Sequence, residues 1–227
     1  VKFFKFQSLL KNDVCAEEYK IRHPRANHLA LTANGEIYLM GGECYADNTS
    51  EGANTKCYLY ECEKFDLETK QSFQLPKLEV NRKWHGGCNV KDEYIYVFGG
   101  FTYDAPFDRC TLTDSIERFI IKEDRWEIIK PRLPHSLCKP GISYLQASGE
   151  IYIVGGYELH AKAKVQYAHA FKLETGEFRK IEDLAHARLL SYKLHTFEGH
   201  FYAISEIKKK FLMQVSTKKT PNGDEYQ

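Results

Sequence analysis

One segment recurs through this 227-residue chain and restricts its folding more than any other feature: an apolar run closed by two glycines. It reads Glu36-Ile-Tyr-Leu-Met-Gly-Gly42, then Glu93-Tyr-Ile-Tyr-Val-Phe-Gly-Gly100, then Glu150-Ile-Tyr-Ile-Val-Gly-Gly156. A fourth copy, His200-Phe-Tyr-Ala-Ile-Ser-Glu206, keeps the apolar run and carries neither glycine. Its tyrosines, Tyr38, Tyr96, Tyr152 and Tyr202, are 58, 56 and 50 residues apart. A fixed period of this size means one supersecondary unit stacked on copies of itself.

Each run is preceded by a turn and an earlier β-like stretch. Asn34-Gly35, Lys91-Asp92, Ser148-Gly149 and Glu198-Gly199 are short turns of the kind that close a hairpin. Before them lie residues 28–32, 86–90, 142–146 and 192–196, so each copy is expected to open with two antiparallel strands. The double glycine then ends the second strand, where close approach or positive φ excludes a side chain. A second hairpin comes next: Phe65-Asp-Leu-Glu-Thr-Lys-Gln-Ser-Phe73 is matched by Phe119-Ile-Ile-Lys-Glu-Asp-Arg-Trp126 and Phe171-Lys-Leu-Glu-Thr-Gly-Glu-Phe178. The aromatics at both ends need apolar cover, which a neighbouring copy supplies. Four short strands per unit of about 50 residues predict an all-β chain of four-stranded antiparallel blades, a β-propeller.

Composition agrees and removes other classes. Aromatic residues make up 14%, with 15 Tyr and 14 Phe beside 15 Gly and only 2 Met, which favours strands over helices. Net charge is +1, so neither a nucleic-acid nor a membrane-surface partner is expected. No apolar run approaches the roughly 20 residues needed to cross a bilayer. The sequence begins at Val1 without a secretory leader, and a cytoplasmic location is expected. Seven cysteines (15, 44, 57, 62, 88, 110 and 138) have irregular spacing and no C-x-x-C, so the expectation is buried thiols in a reducing compartment. The sequon Asn48-Thr49-Ser50 is a triplet that chance supplies in a chain this long.

The units resemble kelch repeats, through Gly41-Gly42, Gly99-Gly100 and Gly155-Gly156, the downstream aromatics Phe73, Trp126 and Phe178, and a basic residue opening each unit. The resemblance covers about residues 14 to 206. The kelch tryptophan is present only at Trp126, and the last unit lacks its diglycine. Blades are expected at 25–81, 82–138 and 139–187, with a degenerate incomplete one at 188–216. Residues 1–24 read as outer strands of a preceding or closing blade, and 217–227 as a flexible tail. About four blades are thus visible. Either the N-terminal strands complete the last blade and close a small ring, or the chain is a fragment of a larger ring; the missing initial Met favours the fragment.

The connections after the diglycines, 43–56, 101–111 and 157–164, vary in length and carry Tyr45, Asp47, Glu51, Phe101, Tyr103, Phe107, Tyr157, Glu158 and His160. Aromatics beside charges suit protein recognition, although such loops can also merely pack on one another. Cations open the units at Arg25, Arg82, Lys139 and Arg188. They form either a basic ring that docks an acidic peptide, or a framework element bonding backbone in each blade. His28 and His85 come three residues after Arg25 and Arg82, a coincidence that repeat symmetry explains. No zinc-enzyme, nucleophile-elbow, phosphate-loop or dinucleotide motif is present, so no catalytic residue, metal or cofactor is expected.

The resemblance implies a non-catalytic module that holds a protein partner. Kelch domains commonly serve as substrate receptors in ubiquitin-ligase complexes or as cytoskeletal and signalling scaffolds. The alternative it leaves open is a kelch-fold enzyme: a copper oxidase using Tyr and His, or a small-molecule isomerase or lyase.

Overall fold

The computed structural model describes residues 2–6, 14–18, 20–46, 55–158, 163–164, 168–181, 192–197, 200–205 and 212–215. Strands β1 (Lys2–Phe6) and β2 (Val14–Glu18) form an antiparallel pair. The first unit contains β3 (Leu29–Ala33), β4 (Glu36–Met40), β5 (Glu43–Ala46), β6 (Thr55–Tyr58), β7 (Cys62–Phe65) and β8 (Ser72–Leu75). The second contains β9 (Gly86–Val90), β10 (Tyr94–Phe98), β11 (Phe101–Asp104), β12 (Arg109–Leu112), β13 (Ile116–Ile120) and β14 (Arg125–Ile128). The third contains β15 (Gly141–Leu145), β16 (Glu150–Val154), β17 (Tyr157–Glu158), β18 (Ala163–Lys164), β19 (Ala168–Lys172) and β20 (Glu177–Lys180). Last come β21 (Tyr192–Phe197), β22 (His200–Ser205) and β23 (Leu212–Val215).

In each of the first three units, four strands make one antiparallel sheet: β3-β4-β7-β8, β9-β10-β13-β14 and β15-β16-β19-β20. Strands β21-β22-β23 form a three-stranded sheet. The expected all-β propeller blades are therefore present. The opening turn of the first sheet shows why: Asn34 and Gly35 both take positive φ (49° and 76°), a twist that suits a two-residue hairpin. Adjacent sheets meet through their first strands, with β9 between β3 and β15, so these strands line the propeller axis. Gly87 sits there because a Cβ would lie 2.4 Å from the Tyr96 carbonyl and 2.5 Å from Leu29.

The core lies between blades. Along β10 alternate residues face opposite neighbours: Ile95 and Val97 pack with Tyr38, Met40 and Phe119 toward the first blade, whereas Tyr96 and Phe98 pack with Ile151 and Phe171 toward the third. A strand covered on both faces reads as a continuous apolar run, which is the recurrent sequence signal. Trp126 closes the first seam, its ring 5.0 Å from Phe119 and its indole N–H donating to the Pro76 carbonyl at 3.0 Å. Tyr152, the third member of the tyrosine register, is likewise buried and donates to Glu150 at 3.1 Å.

Two sequence expectations need correction here. Phe73 does not occupy the Trp126 position. The ladder pairs Phe119 with Trp126 and Phe171 with Phe178, but pairs Phe65 with Ser72. The turns are equally long and the ladder register is the same, but in the first unit the aromatic stands one residue later, opposite Lys64, so its side chain turns to the other face and is exposed. The second correction concerns the cysteines. Cys44 and Cys57, directly opposite in the β5–β6 ladder with Cα atoms 5.4 Å apart, form a disulfide, while Cys62, Cys88 and Cys138 are buried thiols.

Candidate partner-binding face

The diglycines place a hairpin at the same end of each blade. Gly41 and Gly42 (φ 57° and 99°), Gly99 and Gly100 (61° and 102°), and Gly155 and Gly156 (67° and 111°) carry the chain out of the second strand. A Cβ at Gly100 would stand 2.8 Å from the Lys83 carbonyl, and its N–H donates to the Leu137 carbonyl at 2.9 Å. Each diglycine leads into a β-ribbon rather than an irregular loop: β5–β6, β11–β12 and β17–β18. The first residue of each ribbon bridges the segment leading into its own blade, Ala26 with Glu43, Lys83 with Phe101, and Cys138 with Tyr157.

Those bridges fix the repeat register and correct the expected basic ring. Arg25, Arg82 and Leu137 each precede a bridge residue and are equivalent; Lys139 stands two residues later, in register with Trp84 and Asn27. Arg25 donates to the carbonyls of Gly41 and Glu61 (both 2.8 Å) and to Glu63 (2.7 Å). Arg82 does the same toward Gly99 (2.8 Å), Ser115 (3.3 Å) and Glu117 (2.5 Å). All four charged side chains are 0% exposed. A partner cannot reach these guanidiniums: they are framework, each neutralised by a carboxylate and saturated by carbonyls. Arg188 and His160 lie outside the described residues, as do Asp47 and Glu51.

The residues that do gather on the hairpin face centre on Trp84. Asn27, Trp84 and Lys139 all take left-handed φ (55°, 52° and 55°). Their backbones form a chain across the blades: Trp84 N–H donates to the Asn27 carbonyl at 3.0 Å, and Lys139 N–H to the Trp84 carbonyl at 2.6 Å. Each stands two residues before an axial strand, so this chain rims the mouth of the propeller. Left-handed φ at a bulky tryptophan costs about 1–2 kcal/mol.

The Trp84 ring has the ammonium of Lys83 at 4.7 Å, that of Lys139 at 4.5 Å, and Phe101 edge-on at 5.6 Å. Lys83 is clasped by the first hairpin, bonded to Glu43 at 2.7 Å and lying 4.3 Å over the Tyr58 ring. Burial pulls its pKa down, and the bonds to Glu43 and Tyr58 outweigh that and raise it, so it stays charged. Tyr58 reaches on to Tyr103 (5.9 Å between centroids) in the second hairpin. Tyr103 donates to Asp108 at 2.9 Å, and its backbone is held by the buried Asn81, whose amide accepts from Tyr103 N–H (2.8 Å) and donates to the Tyr103 carbonyl (2.9 Å). Phe107, at the tip, is 76% exposed. Tyr45 lies in β5 opposite Lys56, and Tyr157 is half-buried at the base of the third ribbon.

Of the residues expected from the sequence, Phe101, Tyr103 and Lys139 lie at this cluster, beside Tyr58, Lys83 and Trp84, which the sequence reading did not single out. The missing signal was the register two residues beyond the arginine. Among the described residues no group of His, Cys, Asp or Glu assembles as metal ligands, and no helix is long and apolar enough to cross a membrane.

Comparison with known proteins agrees with this architecture. A family model described as Kelch motif matches residues 85–132. Kelch-like protein 15 of Danio rerio is 32% identical over 124 residues, 53% of this chain and 18% of that protein. Kelch-like protein 26 of Danio rerio is 26% identical over 153 residues, 67% of this chain and 23% of the relative. Kelch domain-containing protein 2 of Bos taurus is 29% identical over 142 residues, 59% of this chain and 30% of the relative. The chain spans less than a third of the length of these curated relatives.

Proposed function

We propose that this chain, a kelch-repeat protein, is a non-catalytic scaffold that holds a protein partner on its hairpin face, and that it docks an acidic segment of that partner. The observation carrying this reading is the mouth cluster: an indole flanked by two ammonium groups, one of them the exposed Lys139, beside Phe101, Tyr103 and the projecting Phe107. Aromatic anchors are among the groups that dominate protein interfaces, and a carboxylate from a partner can pair with Lys139 while an apolar neighbour covers Trp84. Within this class we favour a receptor that presents its partner to a larger assembly, as ubiquitin-ligase substrate receptors and cytoskeletal scaffolds do. A cytoplasmic location belongs to the same proposal.

Trp84 reports on the test. The other tryptophan, Trp126, is buried in a blade seam, so a change in tryptophan fluorescence on titrating Glu/Asp-rich peptides reads the mouth. The expected result is binding to acidic peptides, weakened about tenfold or more by Lys139→Glu with the melting temperature unchanged. Equal binding of neutral and acidic peptides, or no effect of the substitution, overturns the reading.

A further inference from the structure

We infer that the Cys44–Cys57 disulfide is a redox latch: oxidised, it keeps hairpin β5–β6 closed on the neighbouring blade, and reduced, it lets that hairpin and its hold on Lys83 loosen. The inference gives the docking face proposed above a regulatory input, and rests on that reading only for its biological purpose.

The geometry ties the bond to the clasp. Cys44 pairs with Cys57 one rung beyond the Glu43–Tyr58 rung, and Glu43 and Tyr58 are the two residues that grip Lys83. Outward of the disulfide the ladder has two further rungs, Tyr45 with Lys56 and Ala46 with Thr55. A two-stranded ribbon of this length is marginal alone in water, so what ties it down decides whether it is formed.

The second blade shows what the first lacks. Hairpin β11–β12 has no cysteine pair; it is held by the Asn81 side chain, which bonds both the N–H and the C=O of Tyr103 and the hydroxyl of Thr102 at 3.1 Å. The position equivalent to Asn81, immediately before Arg25, is Pro24, whose side chain can make none of these bonds. The first hairpin carries a covalent tie between its own two strands, whereas the second is held through one strand by the hydrogen bonds of Asn81. Only the covalent tie answers to a reductant.

Both cysteines are half-buried, within reach of a small dithiol. A reductant thiolate attacks one sulfur, forming a mixed disulfide and expelling the other as thiolate. The second reductant thiol then displaces the remaining sulfur, so the reductant leaves as its own disulfide and Cys44 and Cys57 each end as a thiol. Among the described residues the buried thiols offer little competition as nucleophiles: burial pushes Cys62 up to about 12 and Cys138 to about 11, while Cys110 is exposed.

The test is hydrogen exchange on the whole chain, with and without dithiothreitol and in the absence of any partner. Exchange in 43–46 and 55–58 is expected to accelerate about tenfold or more on reduction, with β11–β12 unchanged, and to recover on reoxidation. Cys44→Ser with Cys57→Ser should match the reduced chain and ignore dithiothreitol, whereas Cys110→Ser should keep the response. Equal protection in both redox states overturns the latch, and so does alkylation of Cys44 and Cys57 before any reductant is added. Acidic-peptide binding measured in parallel separates the two readings. A redox response without peptide binding removes the docking proposal alone, and peptide binding without a redox response removes the latch alone.

Discussion

Arg82 donates to Glu117 at 2.5 Å with both side chains fully buried, and the third blade replaces both partners at once, with Leu137 at the arginine position and His169 opposite Ile153 where Glu117 lies opposite Val97. A buried pair can be exchanged as a unit, but not by halves, because one member alone leaves an uncompensated charge.

Either Arg82→Leu or Glu117→His alone should therefore cost about 3–5 kcal/mol. The double substitution, which writes the third blade's pair into the second, should cost less than the sum by at least about 1 kcal/mol. Urea midpoints of the four proteins measure the coupling; strict additivity would show that the two charges do not support each other.

Trp84→Asn copies the residue that the first blade uses at this left-handed position. Asparagine accepts that backbone more readily than tryptophan, so the protein should be as stable as the parent or more stable by up to about 1 kcal/mol. The stacking surface for the two ammonium groups disappears at the same time, and acidic-peptide binding should fall about tenfold. A melting curve and a titration by calorimetry suffice.

Glycine substitutions should divide by surroundings. Gly149 and Gly100 both have positive φ (68° and 102°), but a Cβ at Gly149 meets open space and one at Gly100 meets the Lys83 carbonyl at 2.8 Å and His85 at 2.9 Å. Gly149→Ala should cost about 1–2 kcal/mol for the backbone alone. Gly100→Ala should cost at least twice as much, read from thermal denaturation, because the segment leading into its own blade has to move as well.

Stability should fall in two stages as pH is lowered. Burial, with Arg82 and His28 adding, holds the His85 imidazole well below its ordinary 6.5. The unfolded chain gains a proton there that the folded chain refuses, so this contribution is complete above pH 6.5 and lost progressively below it. Glu150, paired with Arg179, lies below its ordinary 4.5, as does Glu63, where burial is outweighed by bonds from Ser72 and the Arg22 N–H. Their contribution is present above 4.5 and lost as pH falls below it. Urea midpoints across about pH 2 to 8 should show both stages, and His85→Gln should shrink the upper one, to which His28 and His169, also lowered by burial, contribute.

Much of the fold could be read because its signals are local. Asn34-Gly35 closes a hairpin by its own backbone preference, and Gly100 is demanded by a close carbonyl that Gly42 and Gly156 also meet. The arginine partners were harder, since Glu63 lies 38 residues from Arg25. A trace was available: Glu63 and Glu117 each stand two residues before a buried phenylalanine in a strand, and a repeated charge on a buried face calls for a counter-ion. The register slip at Lys139 was invisible to counting, because 57 residues separate Arg82 from Lys139 as they do Arg25 from Arg82; only the bridges distinguish equivalence from coincidence. The disulfide came from strand pairing, which a spacing of 13 residues does not disclose.

The hydrogen-bonded rim running from Asn27 through Trp84 to Lys139 is built from peptide groups alone. At the rim, one blade is thus joined to the next by backbone hydrogen bonds that do not depend on which side chain projects there. An asparagine, a tryptophan and a lysine already share the position without altering the step. A mouth constructed this way can be re-lettered one residue at a time, changing the chemistry it presents while the backbone links between blades stay in place.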